Sequence, residues 1–318
     1  MRFRSAFLAS LIALSAGAAL AQDYPAKPIR WIVPFPPGGG ADATARIITQ
    51  KMIENTGRNI IIDYRSGAGG NIGTEHVARS APDGYTVLQT TNGHTIQPHL
   101  RKLSWDPIKD FTPITVVASY PLLLAVHPSV PARNLQELVA YARANPGKLT
   151  YGSSGPGGPL HIGAEIFKRA AGVDILHVPY KGNAPMTLAV VSGEVSMVFD
   201  SMVGPLPNVR AGKLRALAYL GERRSAQLPD VPTAREAGVP VVYAAWNGLL
   251  APAGSPPEAI QWLHREIVRA VGSAEVSERL SNLGYEPGTL PQAEFAALIA
   301  SDLERFGRVI RETGIKVE

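Results

Sequence analysis

No cysteine occurs anywhere in the 318-residue chain. Disulfide staples, a thiolate nucleophile and cysteine metal ligation are therefore excluded, and stability has to come from packing. Histidine is sparse, at 7 residues. None of His76, His94, His99, His127, His161, His177 and His264 stands in an H-E-x-x-H or comparable ligand spacing, so neither a metal nor another cofactor is expected. Charge of one sign is also scarce: the formal net charge is +5, spread along the chain without a basic run or interleaved aromatics. That balance argues against nucleic acid as a partner and supports only a weak attraction for anions. Beyond residue 20 every apolar run is soon broken by Pro, Gly or a charge, so no later segment reads as a membrane span.

The N-terminal segment is different. Met1-Arg2-Phe3-Arg4 leads into an apolar run over 6–20 and then Ala19-Leu20-Ala21 ahead of Gln22. A charged start, a short apolar middle and an A-x-A end read as a secretory signal peptide, cleaved after Ala21. The run is about 15 residues, short of the roughly 20 needed to cross a bilayer, which favours a cleaved signal over an anchor. The mature chain, from Gln22 onward, is expected to be a monomer, soluble outside the cytoplasm. At about 300 residues it exceeds the size at which one core keeps growing, so two lobes are expected.

Short β-branched runs over 29–33, 60–64 and 85–90 alternate with helical patterns over 43–55 and 74–79. Such alternation implies βαβ units around a mostly parallel sheet, an α/β fold. Later strands are expected over 122–126, 149–152, 174–178, 196–199 and 214–219. Asn134 reads as the N-cap of a helix ending at Ala144, Ser255-Pro256-Pro257-Glu258 as a capping box, and 292–313 as the last helix. The apolar segments 121–127 and 246–251 are the expected crossings between lobes.

Against these scarcities the chain carries 31 glycines and 27 prolines. Three loops between a candidate strand and a candidate helix concentrate them: Pro34-Phe35-Pro36-Pro37-Gly38-Gly39-Gly40-Ala41-Asp42, Ser66-Gly67-Ala68-Gly69-Gly70-Asn71-Ile72-Gly73, and Ser153-Ser154-Gly155-Pro156-Gly157-Gly158-Pro159-Leu160-His161. Glycine lets the backbone approach a ligand, and a helix starting just afterwards points free N–H groups and a positive dipole end into the same space. An anion such as a carboxylate can be held there without an arginine. Any one loop could serve only a tight turn, but three together favour a site.

Other readings of the same residues are weaker. Gly67, Gly69 and Gly73 miss the dinucleotide fingerprint because Ile72 stands where its third glycine belongs. Gly152-Ser153-Ser154-Gly155 misses the nucleophile elbow because Pro156 replaces a required glycine. A secreted serine hydrolase using Ser153 or Ser154 is nevertheless the alternative. Asp42 is read as a helix cap, since its charge would repel an anion. Asp200 either bonds loop backbone or accepts from a hydroxyl or amine of a ligand. Thr91 and Asn92 either donate to the cleft or form a turn, and His94 and His161 abut candidate pocket loops.

Specific strings add to this pattern. Tyr24-Pro25-x-Lys27-Pro28-Ile29 running into Val33-Pro34-Phe35-Pro36-Pro37-Gly38-Gly39-Gly40-Ala41-Asp42, then Asp63-Tyr64-Arg65-Ser66-Gly67-Ala68-Gly69-Gly70-Asn71-Ile72-Gly73, resembles the tripartite tricarboxylate transporter substrate-binding family, also called Bug receptors. The likeness continues in order through Ala81-Pro82-Asp83-Gly84-Tyr85-Thr86, Tyr151-Gly152-Ser153-Ser154-Gly155, Val178-Pro179-Tyr180-Lys181-Gly182, Phe199-Asp200, Leu228-Pro229-Asp230-Val231-Pro232-Thr233 and Trp246-Asn247-Gly248. The resemblance implies a two-lobed periplasmic-binding-protein fold of class II type, whose cleft closes on a small organic acid. It implies a receptor, not an enzyme, that serves membrane transporter subunits or a sensor ectodomain. Lobe 1 would hold 22–122 and 248–318, and lobe 2 would hold 123–247. The ligand would meet Phe35, Gly39, Gly40 and Ala41, with Gly69 and Gly70 nearby, from the first lobe. Ser153, Ser154, Gly155, His161, Tyr180 and Asp200 would face it from the second.

Overall fold

The structure, a computed structural model, describes residues 24–315. The expected signal segment over 1–21 lies outside the described residues. In chain order the strands are β1 (Ile29–Val33), β2 (Ile60–Tyr64), β3 (Thr86–Thr91), β4 (Phe111–Pro121), β5 (Leu123–Val126), β6 (Thr150–Ser153), β7 (Leu176–Pro179), β8 (Met197–Asp200), β9 (Arg215–Tyr219), β10 (Ala244–Pro252) and β11 (Glu286–Pro287). The helices are α1 (Gly40–Thr56), α2 (Asn71–Ala78), α3 (Gly93–Ile96), α4 (Leu135–Ala144), α5 (Pro159–Ala171), α6 (Asn183–Ser192), α7 (Pro205–Arg210), α8 (Pro257–Val271), α9 (Ala274–Asn282) and α10 (Gln292–Thr313). Among the described residues no helix is long and apolar enough to cross a membrane.

Two sheets divide the strands. A six-stranded sheet runs β11-β4-β10-β3-β1-β2 and a five-stranded sheet runs β7-β6-β8-β5-β9. Each sheet has a parallel half made of βα units: β2 and β3 flank β1, while β7 and β8 flank β6. The other half of each is antiparallel, because β10 opposes both β3 and β4, and β5 opposes both β8 and β9. The sheets are therefore mixed, and the mostly parallel expectation needs that correction. Alternating strands and helices encode the βα units, but not the direction of the strands that carry the chain between sheets.

Those crossings are short and buried. β4 ends at Pro121 in one sheet and β5 starts at Leu123 in the other, leaving Leu122 alone between them at 0% exposure. The return passes beside it: Leu220 donates from its main chain to Leu122 at 2.8 Å, and Tyr243 donates to Leu220 at 2.8 Å. β10 then begins with Ala244 paired to Pro121, so residues 244–247, expected in the second lobe, lie in the six-stranded sheet. β4 itself was hidden by Pro113, which argues against a strand. Pro113 pairs with Leu250 at a register shift of the β4–β10 ladder, a bulge where a missing N–H is tolerated.

Helix starts follow their local chemistry. Asn134 Oδ1 accepts from the Glu137 main chain at 2.8 Å, the expected cap of α4. The capping box at Ser255 does not form, since Ser255 Oγ donates to the Pro252 carbonyl at 2.8 Å and α8 starts at Pro257. Pro257 bars Pro256 from helical angles, holding it at φ −57° and ψ 135°, so Ser255 stands one residue too early to cap.

Helix α5 seats the second lobe on the crossings. A Cβ on Gly163 would stand 2.5 Å from Leu122 Cδ1 and 2.8 Å from the Tyr243 ring. Gly163→Val should therefore lower the unfolding free energy by about 1–3 kcal/mol, as overpacking does in close-packed cores. Urea denaturation followed by circular dichroism checks it, as a lower midpoint.

Candidate functional site

A cavity of about 100 Å³ opens where the two sheets face each other. It has room for several waters and hence for a small organic molecule. Phe35, Gly39, Gly40, Ala41 and Thr91 line it from the six-stranded side, with Tyr120 of β4, Asn247 of β10 and Tyr285. Ser154, Pro159, Leu160, residues 181–185, Asp200 and Ser201 line it from the five-stranded side.

Three helices begin at this cavity. Their N-cap residues are Gly39 for α1, Gly158 for α5 and Gly182 for α6, and none of the three has a side-chain cap. The first turns thus present unbonded N–H groups and the positive ends of three helix dipoles to one space. Asp42, buried in the first turn of α1, is turned away from it. Its Oδ2 accepts from the Gly38 main chain at 2.8 Å, and its Oδ1 from Arg46 at 2.7 Å and from the Tyr64 hydroxyl. Burial pushes this carboxyl up, but the bonds from Tyr64, Gly38 and Arg46 outweigh burial and hold it below its ordinary range. It fastens the loop and leaves the helix start free.

Close approach explains two of the glycines. A Cβ on Gly40 would lie 1.9 Å from the Tyr285 hydroxyl, which no side chain can occupy. Gly182 adopts φ 108°, a conformation that L residues rarely take, and thereby turns the chain from Lys181 into α6.

Polar side chains complete the walls. Asp200 is 0% exposed, and its Oδ1 accepts from Asn183 Nδ2 at 2.9 Å and from Ser201 Oγ at 3.4 Å. Its Oδ2 has no partner, and neither amide atom of Asn247 has one. Burial pushes the Asp200 carboxyl up to about 7 against the opposing pull of its bonds to Ser201 and Asn183. The Tyr120 and Tyr285 rings meet edge to face at 5.4 Å, and burial holds both hydroxyls far above their ordinary range. Lys181 is an exposed cation at the rim.

Of the residues expected from sequence, the structure brings Phe35, Gly39, Gly40, Ala41, Thr91, Ser154 and Asp200 to this cavity. It places the others elsewhere. Gly69 and Gly70 line a small neighbouring pocket with Phe35, Thr91, His94 and Gln97. There Gln97 Oε1 accepts from Asn71 at 3.3 Å and its Nε2 donates to the Gly157 carbonyl at 3.1 Å, tying the second glycine loop to the third. Asn92 is buried and donates to the Tyr243 hydroxyl at 3.1 Å, which in turn donates to the Pro159 carbonyl at 2.9 Å. His94 stacks on Trp105 at 5.0 Å and bonds the Pro107 carbonyl. Ser153, at 0% exposure, pairs with His177 Nε2 at 2.6 Å and with the Gly155 carbonyl, so this serine and Gly155 form the loop's internal turn. His161 accepts from the Gly157 main chain at 2.9 Å. Tyr180 turns its hydroxyl to Glu194 at 2.6 Å. Sequence reading missed Tyr120, Asn183, Ser201, Asn247 and Tyr285, and it missed α6 as a third helix start. The signal for α6 was Gly182 ahead of Asn183 and Pro185, a glycine turn followed by a proline in the first helical turn.

Two α/β sheets facing each other across a cleft walled by helix starts define a periplasmic-binding-protein-like fold, the expected architecture. The model of the tripartite tricarboxylate transporter family receptor matches residues 44–315, and the chain belongs to that family. Protein BugT of Bordetella pertussis is 35% identical over 302 residues, covering 94% of this chain and 93% of that one. Among solved structures, R. palustris Rpa4515 with adipate superposes with a TM-score of 0.88 at 36% identity, covering 92% of this chain and 99% of that one. MatC (Rpa3494) from Rhodopseudomonas palustris with bound malate gives a TM-score of 0.84 at 33% identity, over 90% of this chain and 100% of that one.

The third glycine loop rests on a ring stack in which only the middle ring is half-exposed: His161 lies on His177 at 3.9 Å and His177 on Tyr151 at 5.0 Å. Burial pushes both imidazoles down to about 4, and His177 is lowered further by His161 and Lys168. An unfolded chain takes up these protons first, below pH about 6.5, so the stabilisation is complete above that value and is lost as the pH falls toward about 4. The urea midpoint should decline across this window, and His161→Gln with His177→Gln should make the decline shallower while leaving the contribution of His94.

Proposed function

We propose that this chain is a periplasmic receptor that captures a small organic carboxylate between its lobes. The observation that carries the reading is the convergence of three uncapped helix starts on one cavity. A carboxylate there accepts from the main-chain N–H groups of Gly40 and Ala41 on one side and of Leu160, Asn183 and Ala184 on the other. Charge-assisted bonds to an ionised acceptor are shorter and stronger than neutral ones, so no arginine is required. Thr91, Ser154, Ser201 and Asn247 supply side-chain partners, and Phe35 with Leu160 packs the carbon chain.

The lobes touch around this cavity. Besides the Gln97 bond, a Cβ on Gly39 would meet Asn183 Oδ1 at 3.4 Å, and one on Gly182 would meet Pro36 Cγ at 3.4 Å. A ligand that contacts both walls favours this closed arrangement by its differential affinity for it. The dividing line falls at Leu122 and between Tyr243 and Ala244. Relatives solved with adipate and with malate support a dicarboxylate or hydroxyacid as ligand. The family supports the membrane subunits of a tripartite transporter, or a sensor, as the partner. Export through a signal segment cleaved after Ala21 fits the same reading.

An enzymatic use of the cleft is disfavoured. Ser153 is buried away from the cavity and committed to His177, whereas Ser154 lines the cavity, whose walls include no histidine to act as its base. We read the protein as a receptor and not as a hydrolase.

Calorimetric titration tests the proposal. Adipate or malate should bind and be recovered unchanged, and the corresponding diamide should bind far more weakly. Gly40→Ala should cost at least about tenfold in affinity, because the added methyl displaces Tyr285 and spoils the helix start, a loss of about 1.4 kcal/mol or more. Equal affinity for diacid and diamide would contradict an anion held by backbone donors.

A further inference from the structure

The buried carboxyl of Asp200 has no place in a simple anion site. It lines the cavity at 0% exposure, and one of its oxygens is without a hydrogen-bond partner. It also sits one hydrogen bond from two of the helix starts. Asn183, which bonds Asp200 Oδ1 at 2.9 Å, is the first residue of α6, and its Oδ1 stands 3.4 Å from the Cβ position of Gly39. Ser201 Oγ, 3.4 Å from Asp200 Oδ1, stands 3.6 Å from the Cβ position of Gly40. A Cβ on residue 204 would come within 3.0 Å of Oδ2, so Gly204 leaves that oxygen room.

We propose that Asp200 couples capture to protonation: its carboxyl meets the bound carboxylate as the neutral acid, donating a hydrogen bond to it and taking one proton from solvent. The inference rests on the reading of the cleft as an organic-acid site. Two ionised carboxylates sharing a buried pocket repel, so one of them binds a proton. A protonated carboxyl is a donor, and an O–H to a carboxylate oxygen is among the stronger hydrogen bonds. The balance is one proton from water onto the Asp200 carboxyl, with no other bond made or broken.

The surroundings do not neutralise Asp200 in another way. Its partners Asn183 and Ser201 carry no charge. Tyr120 from β4 and Tyr285 from beside β11 face it with hydroxyls that stay protonated. The cation on the cavity wall, Lys181, is exposed to solvent. Burial, against the opposing pull of Ser201 and Asn183, already brings the carboxyl to about 7, and an incoming anion moves it in the same direction as burial. In the unliganded protein the raised value means that Asp200 favours folding at low pH and that this contribution is lost as pH rises from the ordinary carboxylate range through about 7. Ligand affinity follows the same sign.

The experiment is isothermal titration of adipate, and separately of malate, into the wild-type protein in two buffers of different protonation enthalpy. Proton uptake per ligand should rise toward one as the pH is raised past about 7, with affinity falling by up to about tenfold per pH unit above that range. Asp200→Asn, whose amide N–H replaces the acid donor, should bind the same ligand with no uptake and a flat profile. Ligand binding by the wild type with no proton uptake between about pH 7 and 9 would overturn the inference while leaving the cleft reading intact. Uptake that persists unchanged in Asp200→Asn would overturn it equally. If neither acid binds the wild type at any pH, the reading of the cleft fails and the inference fails with it.

Discussion

The hydroxyl of Tyr285 stands where a Cβ on residue 40 would be, and this contact sets how closely the first turn of α1 can meet the opposite wall. With a side chain at position 40 the helix start would be held back and its N–H groups screened. Each helix start carries the equivalent of about half a positive charge, and three of them aimed into one small cavity favour an anion there without a fixed cation. Asp42 could have cancelled this by capping its own helix. Instead its carboxyl is consumed by Gly38, Arg46 and Tyr64 on the far side of the loop.

The rest of the fold serves to bring those helix starts together. The parallel half of each sheet supplies βα units, which end their strands and begin their helices on the same edge. The antiparallel halves carry the crossings at Leu122 and Tyr243, and α5 packs Gly163 directly onto both. Any change in lobe angle is therefore felt at the N-terminus of α5, which is itself a cavity wall. Asn92 and Gln97 extend the same coupling from the first lobe, through Tyr243 and Gly157, to the loop that presents Ser154 and Leu160.

Much of this could be read from the amino-acid sequence. Strands β1 and β2 and the last helix have the expected limits, and the loops before α1 and α5 do face the cavity, because glycine placement between strand and helix is a local signal. What escaped were features decided by distant parts of the chain. Tyr120 and Tyr285 come from a strand and a turn with no motif of their own, and Asn247 from a string read only for its likeness; the β4–β10 pairing brings Tyr120 and Asn247 to the cavity, and the β11–β4 pairing brings Tyr285. Ser153, His161 and Tyr180 belong to strings that look functional, yet partners elsewhere engage them: His177, remote in sequence, bonds Ser153 and stacks on His161, and Glu194 holds the Tyr180 hydroxyl at the surface. Pro113 concealed β4 for a similar reason, since a bulge depends on the partner strand.

The central claim is that backbone N–H groups at three helix starts hold the ligand. Backbone amide shifts of isotope-labelled protein, followed by nuclear magnetic resonance during a titration with malate or adipate, test it most directly. The account predicts large downfield shifts at Gly40, Ala41, Leu160, Asn183 and Ala184, all saturating together. Shifts confined to the surroundings of Lys181, with those five amides unmoved at saturation, would contradict it.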